Sequence, residues 1–532
     1  MTRVLSDLLP AIDPLSVQGN TGINISGLAY DSREVGPGFL FFALPGLHVD
    51  GHAHIDDAIR RGAAAIVHSR ELADRKERLA WIKVADTRFA MSPIADAYWN
   101  SPSRSLVTIG VTGTEGKSTT VWLIYRLLDL AGKKAGFIST VEYRVADKVL
   151  PNPEHQTTPE AITIQAKLAQ MLANGLEYAV LESSSHGLSP KTNRLGDIAF
   201  DVGVMTNVRH EHLEFHGSWE QYRSDKANLF RRLGKLAVAK TIAGATLEPP
   251  RFGVVCLDDP SAAFFMENCP VPVYSYSMRR RDATMYATDI RPEAAGFSFT
   301  IHTSTGTGHS TGGGTGIGTH TESYDARIQL SGEFNVENIL AAVLTVSRLT
   351  GKTVDSLLPL LPLLEPVKGR MTRIDAGQPF EVLVDYAHTP SSFQAILPPL
   401  KKRATGKVIS VFGSGGERDT LKRPEQGRIA SEYCDIVILS DEDPRGEIPM
   451  DLLEDIAAGC GSKERGKNLF LIPDRAMAIR QAFKLATQGD TVLLLGKGHE
   501  NSIIYASGTI SWDEISEAYT ALAEAGYERK HP

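Results

Sequence analysis

Cysteine is scarce in this 532-residue chain: there are four, Cys256, Cys269, Cys434 and Cys460, and no two share a C-x-x-C spacing. The absence of that spacing argues against a cysteine metal centre and a disulfide framework, and the four read as reduced structural thiols. Long apolar runs are missing too, and none approaches the roughly 20 residues that a membrane span needs. The start, Met1-Thr2-Arg3-Val4-Leu5-Ser6-Asp7, has no basic stretch leading into an apolar one. The expectation is therefore a cytoplasmic protein, neither exported nor inserted in a membrane. Positive charge is not in excess either. Lys and Arg number 56 against 63 Asp and Glu, a net −7, so no basic surface points to nucleic acid. Anionic substrates stay open, because local clusters bind them.

The composition that is present, 42% hydrophobic and 22% charged, is that of an ordinary globular protein. The length is too great for one core and predicts about three domains. Residues 1–100 read as a small α/β unit, with a strand over 38–44, a helix over 55–62 and a strand over 63–67. Pro102, in a Ser-Pro-Ser segment, reads as a linker. Over 101–350 strand and helix patterns alternate, which predicts a mostly parallel sheet with helices on both faces. Residues 303–321 are rich in Gly, Ser, Thr and His and read as a surface loop. Over 351–532 the alternation restarts, predicting a Rossmann-like doubly wound domain.

Residues 106–120 organise the rest. A β-branched run leads into Gly113-Thr114-Glu115-Gly116-Lys117-Ser118-Thr119, and helical spacing follows. Strand, glycine turn, Lys-Ser and helix is an arrangement that cradles a nucleotide phosphate. Backbone N–H groups and the helix N-terminus face the anion, Lys117 neutralises it, and the Ser118 hydroxyl reaches Mg²⁺. The first glycine of the usual P-loop spacing is replaced by Val111. Strand 178–181 ends on Glu182, which places a carboxylate beyond a sheet's carboxyl edge, where a Mg²⁺ ligand belongs. Strand 201–205 ends in a run holding His210, Glu211, His212, Glu214 and His216. A zinc site there has no further Cys or His of fitting spacing. Lys226 follows, and alone it is a helix-surface lysine.

Taken in order, G-T-x-G-K-S, T-T-P, E-x-S-S-H, T-N, E-H-L-E-F-H and Y-x-x-x-K-x-x-L-F resemble the Mur ligase family, the ATP-dependent amide-forming enzymes of peptidoglycan precursor synthesis. Gly332-Glu333-Phe334-Asn335, Gly369-Arg370-Met371, Asp385-Tyr386-Ala387-His388, Gly413-Ser414-Gly415-Gly416-Glu417-Arg418-Asp419 and Gly496-Lys497-Gly498-His499-Glu500 extend the resemblance to the C-terminus. It implies an N-terminal domain for the UDP moiety, a central P-loop-type ATPase domain and a C-terminal domain for the incoming amino acid. Asp31-Ser32-Arg33 and Asp443-Pro444-Arg445-Gly446-Glu447 point to the member that adds the third residue of the peptide stem. The implied reaction joins a dibasic amino acid (L-lysine, L-ornithine or meso-diaminopimelate) to the D-Glu γ-carboxylate of UDP-N-acetylmuramoyl-L-alanyl-D-glutamate. ATP first converts that poor electrophile to an acyl phosphate, which the amine attacks. The process belongs to cell-wall synthesis, with its ties to cell shape and cell division.

The resemblance also implies residue roles. Residues 113–119 and Lys117 hold ATP phosphates; Ser118, Glu182, His212 and Lys226 serve Mg²⁺, with Lys226 converted to a carbamate by CO₂. Asn335 and Asn338 lie on the adenine side, and Arg370, Asp385 and His388 around the ribose and phosphates. Tyr30, Ser32 and Leu47-His48-Val49 correspond to UDP contacts, and Thr157, Thr158, Ser184 and Arg194 to contacts with the sugar-peptide. Arg418, Asp443, Arg445, Gly496 and Glu500 correspond to the amino-acid pocket, and the family implies a monomer. This chain departs from the pattern at Glu115, at Glu211 and Glu214, in the longer segment 189–193, and at Glu442-Asp443-Pro444-Arg445. The two acids of the last segment add negative charge, which favours a bare terminal ammonium. Two other readings remain: a Mur-type ligase adding glutamate to folate, and a P-loop NTPase or kinase. Asp31-Ser32-Arg33 weighs against the first, Val111 and the Lys226 motif against the second.

Overall fold

The computed structural model describes residues 1–46, 50–72, 78–154, 156–209, 213–235, 239–293, 296–304, 321–461 and 463–527. The chain divides into two compact units. One comprises Met1–Tyr286, His302–Glu322 and Leu340–Leu357, and the other Ala287–Ile301, Ser323–Ile339 and Leu358–Pro532.

The first unit begins with a five-stranded sheet in the order Ser16–Gln18, Ala80–Lys83, Ala65–His68, Phe39–Phe42, Gly27–Ala29, parallel except for its first strand. Both faces are covered, so its strands are apolar throughout rather than alternating. Leu40 and Phe42 pack toward Met91 and Ile94 of helix Thr87–Tyr98, and Phe41 packs on the other face with Ile55 and Ala58 of helix Ile55–Arg60. The Ser-Pro-Ser segment is not a loose linker. Pro102–Ser105 forms a 3₁₀ turn, Pro102 and Ser103 are buried, and Ser103 Oγ accepts from Ala199 N at 3.0 Å.

The larger sheet of this unit holds the parallel order Ala135–Ile138, Tyr178–Glu182, Val107–Thr112, Val202–Met205, Phe252–Cys256, Val273–Ser277. The chain leaves Val107–Thr112 for strands on one side and later returns to place Val202–Met205 on the other, so Val107–Thr112 lies at the switch of winding direction. There the connections diverge and open a crevice at the carboxyl edge. At the opposite edge Lys240, fully buried, donates to Asp201 Oδ2 (2.6 Å), Ala199 O (2.6 Å) and Leu106 O (2.9 Å), which ties the amino ends of two central strands together.

The second unit carries a six-stranded sheet in the order Thr372–Ile374, Glu381–Asp385, Thr491–Leu495, Val408–Phe412, Ile436–Leu439, Leu469–Leu471, parallel but for the first strand. Alternate residues serve two cores: Leu383, Leu493, Leu495 and Phe412 pack with Phe393 and Ile429, whereas Val382, Val384, Val411 and Leu494 pack with Ile479 and Leu522. This is the doubly wound α/β architecture expected from the alternation.

Candidate active site

In the first unit, three neighbouring strands end side by side and deliver three loops to one place. Val107–Thr112 runs into the glycine turn and helix Lys117–Leu130, Tyr178–Glu182 ends on Glu182, and Val202–Met205 runs into Thr206-Asn207. Gly113 has φ +152, and a Cβ there would lie 1.9 Å from Thr206 Oγ1, so only glycine lets the two loops meet. Thr206 and Asn207 then pin the turn. Thr114 N donates to Asn207 O (2.8 Å), Glu115 N to Asn207 Oδ1 (2.9 Å), and Thr206 Oγ1 to Glu115 O (2.7 Å). Glu115, half-buried, thus has its backbone locked on both sides. Gly116 caps the helix in the left-handed region, Lys117 Nζ folds back onto Thr114 O at 2.7 Å, and Thr119 sits half-buried in the first turn.

Ser118 Oγ lies 3.0 and 2.9 Å from the two oxygens of Glu182, and Thr140 N donates to Glu182 Oε2 at 2.8 Å. Glu182 is buried, and among the described residues no cation is within ion-pair distance of it. A buried carboxylate paired with a hydroxyl beside this glycine turn is an all-oxygen donor set, and it fits a hard divalent cation such as Mg²⁺. Lys226, on helix Trp219–Arg231, is 1% exposed; its Nζ donates to Gly113 O at 2.5 Å and sits 4.4 Å from the Tyr222 ring centre. Lys226 therefore lies buried against the glycine turn and is not a surface lysine. His212 lies outside the described residues, as do Leu47, His48 and Val49.

On the flank of this crevice Thr158 Oγ1 donates to Glu182 O and accepts from Ser184 N, both at 3.0 Å, and Ser184 Oγ caps the short helix Ser185–Leu188. Arg194 donates to Thr158 O and to Glu160 Oε1, both at 2.9 Å, and Arg88 reaches the same Glu160 oxygen at 2.6 Å. The extra residues before Arg194 therefore leave it at the T-T-P turn; Thr157 there is half-buried. Burial pushes the Tyr30 hydroxyl up to about 12, with Glu154 and Glu160 adding to the effect, so it stays a neutral donor. Ser32 is buried beside Asp57, and its hydroxyl holds that carboxyl below the usual range.

Sequence reasoning assigned no role to Thr206, Asn207 or Tyr222, or to a buried chain beside Lys226. In that chain His216 Nδ1 meets Asp225 Oδ2 at 2.7 Å, and Nε2 meets Ser185 Oγ at 3.1 Å. The motif blocks E-x-S-S-H and T-N were the available signal.

In the second unit the expected residues fall into two groups. Asn335 Nδ2 donates to Ser331 O (2.7 Å) and Asn335 Oδ1 accepts from Asn338 Nδ2 (3.0 Å), so the two amides form a buried pair. At the end of strand Glu381–Asp385, Asp385 accepts from Met371 N and Ala387 N at 2.7 and 2.8 Å; burial raises its pKa while Arg370 pulls it down. Arg370 lies 4.8 Å from the Tyr386 ring centre, and His388 Nδ1 bonds Tyr386 O at 2.8 Å. His499, 4.7 Å from the Tyr386 ring centre, is held neutral by burial and by Arg370 and His388.

The second group surrounds the loop after Ile436–Leu439. Gly416 N donates to Asp443 O at 2.8 Å, which brings the Arg418 loop beside the Asp443–Arg445 loop; Arg418 is exposed and Arg445 half-buried. Gly496 sits at φ +98, in the left-handed region that favours glycine, and a Cβ there would stand 2.7 Å from Glu442 Oε2. Lys497, unassigned by sequence reasoning, donates to Asp443 Oδ1 at 2.9 Å and to Glu500 Oε2 at 2.5 Å. This corrects the expected charge sum. Burial raises the Glu442 pKa, favouring its neutral form, and Lys497 already balances part of the Asp443 and Glu500 charge. These loops therefore carry less negative charge than Glu442 and Asp443 suggest when counted alone.

Asp441 in the same loop accepts from Tyr505 OH at 3.0 Å, and burial pushes its pKa up to about 6. An acid whose folded pKa exceeds its unfolded value of about 4 binds its proton more tightly when folded, so this group's contribution to stability falls as pH rises from about 4 to 6. Asp441→Asn, which keeps an acceptor for Tyr505 and cannot ionise, is expected to raise Tm over the parent at pH 8 but not at pH 4. A Tm difference independent of pH across thermal melts in that range would refute the assignment.

Comparison with known proteins then places these parts. Residues 24–99 match "Mur ligase family, catalytic domain", residues 111–346 "Mur ligase middle domain" and residues 369–498 "Mur ligase, glutamate ligase domain". The chain is 49% identical to a UDP-N-acetylmuramyl-tripeptide synthetase of Treponema denticola over 98% of each protein. It is 38% identical to a UDP-N-acetylmuramoyl-L-alanyl-D-glutamate--2,6-diaminopimelate ligase of Geobacillus kaustophilus, covering 94% of this chain and 96% of that one. A solved structure of a ligase of the latter name superposes with a TM-score of 0.62 at 27% identity, covering 99% of this chain and 100% of the other.

Proposed function

The chain belongs to the Mur ligase family, and we propose that it is the ATP-dependent ligase that adds a dibasic amino acid to the D-Glu γ-carboxylate of UDP-N-acetylmuramoyl-L-alanyl-D-glutamate in peptidoglycan synthesis. The observation that carries this reading is the whole-length likeness to proteins named tripeptide synthetases. The domain roles follow the three-part division: 1–100 for the UDP moiety, 101–350 for ATP and 351–532 for the amino acid. The enzyme acts in the cytoplasm as a monomer.

A carboxylate resists attack by an amine, so the reaction runs through an acyl phosphate, with ADP as first product and phosphate released when the amine displaces it. Phosphoryl transfer asks for positioning and charge neutralisation. The pinned turn 113–118 offers backbone N–H groups and the start of a helix, and Lys117 offers its ammonium. Ser118 and Glu182, with His212 and a carbamylated Lys226, are the residues that would hold Mg²⁺, which spreads the phosphate charge when bound. Thr158, Ser184 and Arg194 orient the acyl acceptor, with Tyr30, Ser32 and residues 47–49 on its uridine end. Asn335, Asn338, Arg370, Asp385 and His388 serve the nucleoside of ATP. Arg418 offers a planar fork to the amino acid's α-carboxylate. Asp443, Arg445, Gly496 and Glu500 read the rest.

Phosphate release with the UDP-muramoyl dipeptide plus L-lysine, L-ornithine or meso-diaminopimelate in turn tests this. One amine is expected to stimulate release about tenfold or more over the others, since a site built to pair a polar group rejects analogues that lack it. Release that none of the three amines alters would defeat the proposal.

A further inference from the structure

Lys497 is the residue of the second unit whose surroundings ask most for a role. Its side chain is fully buried, and its two carboxylate partners arrive from different loops, Asp443 after strand Ile436–Leu439 and Glu500 after strand Thr491–Leu495. The Lys-facing oxygen of Asp443 also accepts from Ile504 N at 3.0 Å, and the other oxygen stands 3.9 Å from Arg445 Nη2. Glu500 turns its second oxygen to Tyr386 OH at 3.3 Å. One ammonium therefore holds one oxygen of each carboxylate, leaving the other to Arg445 or Tyr386, and it offsets one of the two negative charges. Without it, two like charges would face each other in a low-dielectric pocket and turn apart toward other partners.

We propose that Lys497 is a positioning residue for amino-acid selection: it acts through Asp443 and Glu500, holding both in the orientation that receives the incoming amino acid. The inference rests on the reading of those residues as the amino-acid pocket.

Steady-state kinetics of the full-length enzyme test it, with KM measured separately for ATP, the UDP-muramoyl dipeptide and the preferred amine. Lys497→Met is expected to raise KM for the amine about tenfold or more, to move the other two KM values by less than about twofold, and to lower kcat less than KM rises. Lys497→Arg, which keeps a cation, is expected to recover most of the loss. If Lys497 acts through Asp443, adding Lys497→Met to Asp443→Asn costs less than Lys497→Met does in the parent, because coupled residues are not additive. That double variant also removes one acid with the lysine; if Lys497→Met alone does not fold, the double variant's amine KM is read against Asp443→Asn alone, where a rise of less than about threefold is expected and a rise of about tenfold or more overturns the inference.

An unchanged amine KM in Lys497→Met overturns the inference. So does an equal rise in all three KM values with a fall in Tm, or full additivity in the double variant. Amine-independent phosphate release by the parent enzyme overturns the pocket reading and the inference together, whereas an amine-dependent parent with an unaltered Lys497→Met overturns the inference alone.

Discussion

Lys226→Ala is expected to lower kcat by about 10²–10³-fold or more, the loss that follows removal of one preorganised electrostatic group from a closed site, and short carboxylates are expected to restore part of it. The geometry sets up the test. Lys226 is 1% exposed, hydrogen-bonded to the carbonyl of Gly113 and packed on Tyr222, directly beneath the turn that Thr206 and Asn207 lock. A buried lysine there can serve in two ways. As an ammonium it neutralises phosphate. As a carbamate, formed when its neutral amine adds to CO₂ and gives up one proton, it becomes an anionic oxygen donor. The two roles predict opposite rescues of the alanine variant. Acetate or formate restores activity if the carbamate is the working form, and methylammonium does so if the cation is. Rescue by methylammonium alone, or full activity of Lys226→Ala, removes the carbamate from the mechanism. Full-length protein melting at the parent temperature would exclude unfolding as the cause.

The readable part of this site was local. Apolar runs ending on Gly113, Glu182 and Thr206 placed three strand ends, and a parallel sheet brings such ends to one edge whatever lies between them in sequence. The doubly wound second unit was legible for the same reason, since both its faces are covered and its strands are uniformly apolar. What stayed hidden depends on burial and on partners far along the chain. Pro102 looks like a linker in sequence, yet its segment is enclosed by the hydrogen bond from Ala199, 96 residues away from Ser103. Lys497 and Asp443 are 54 residues apart, and the charge of Asp443 cannot be weighed until its partner is seen. Glu442 counts as an added negative charge on paper, and burial raises its pKa in the fold. Composition fixes how many charges a pocket's loops carry, whereas the fold decides which of them are left for a substrate.

The same principle gives the largest expected effect on stability. Arg475 and Glu514 are both fully buried, and the guanidinium spends its donors inside the second unit: Nε and Nη2 on Glu514 at 2.9 and 2.7 Å, Nη2 again on Leu495 O at 2.7 Å, and Nη1 on Asp441 O at 3.0 Å. Trp512 Nε1 adds a bond to Glu514 Oε2 at 2.6 Å. Arg475→Met removes the cation and leaves a carboxylate in the interior with Trp512 alone among these donors, together with two bare carbonyls. Breaking a buried pair from one side costs about 3–5 kcal/mol, and for a body of this size that is a fall in Tm of about 10 °C. Replacing both partners, Arg475→Met with Glu514→Leu, is expected to recover most of the loss, because the penalty lies in the stranded charge rather than in the missing attraction. The two carbonyls that Arg475 holds belong to Leu495 and Asp441, one and two residues from Gly496 and Asp443, so the single variant is also expected to weaken amino-acid binding at temperatures where it remains folded. Thermal unfolding of the parent, the single and the double variant decides the matter. A single variant that melts with the parent, or a double variant that melts below the single one, would show that Glu514 tolerates isolation and that the strand ends are held by something other than this guanidinium.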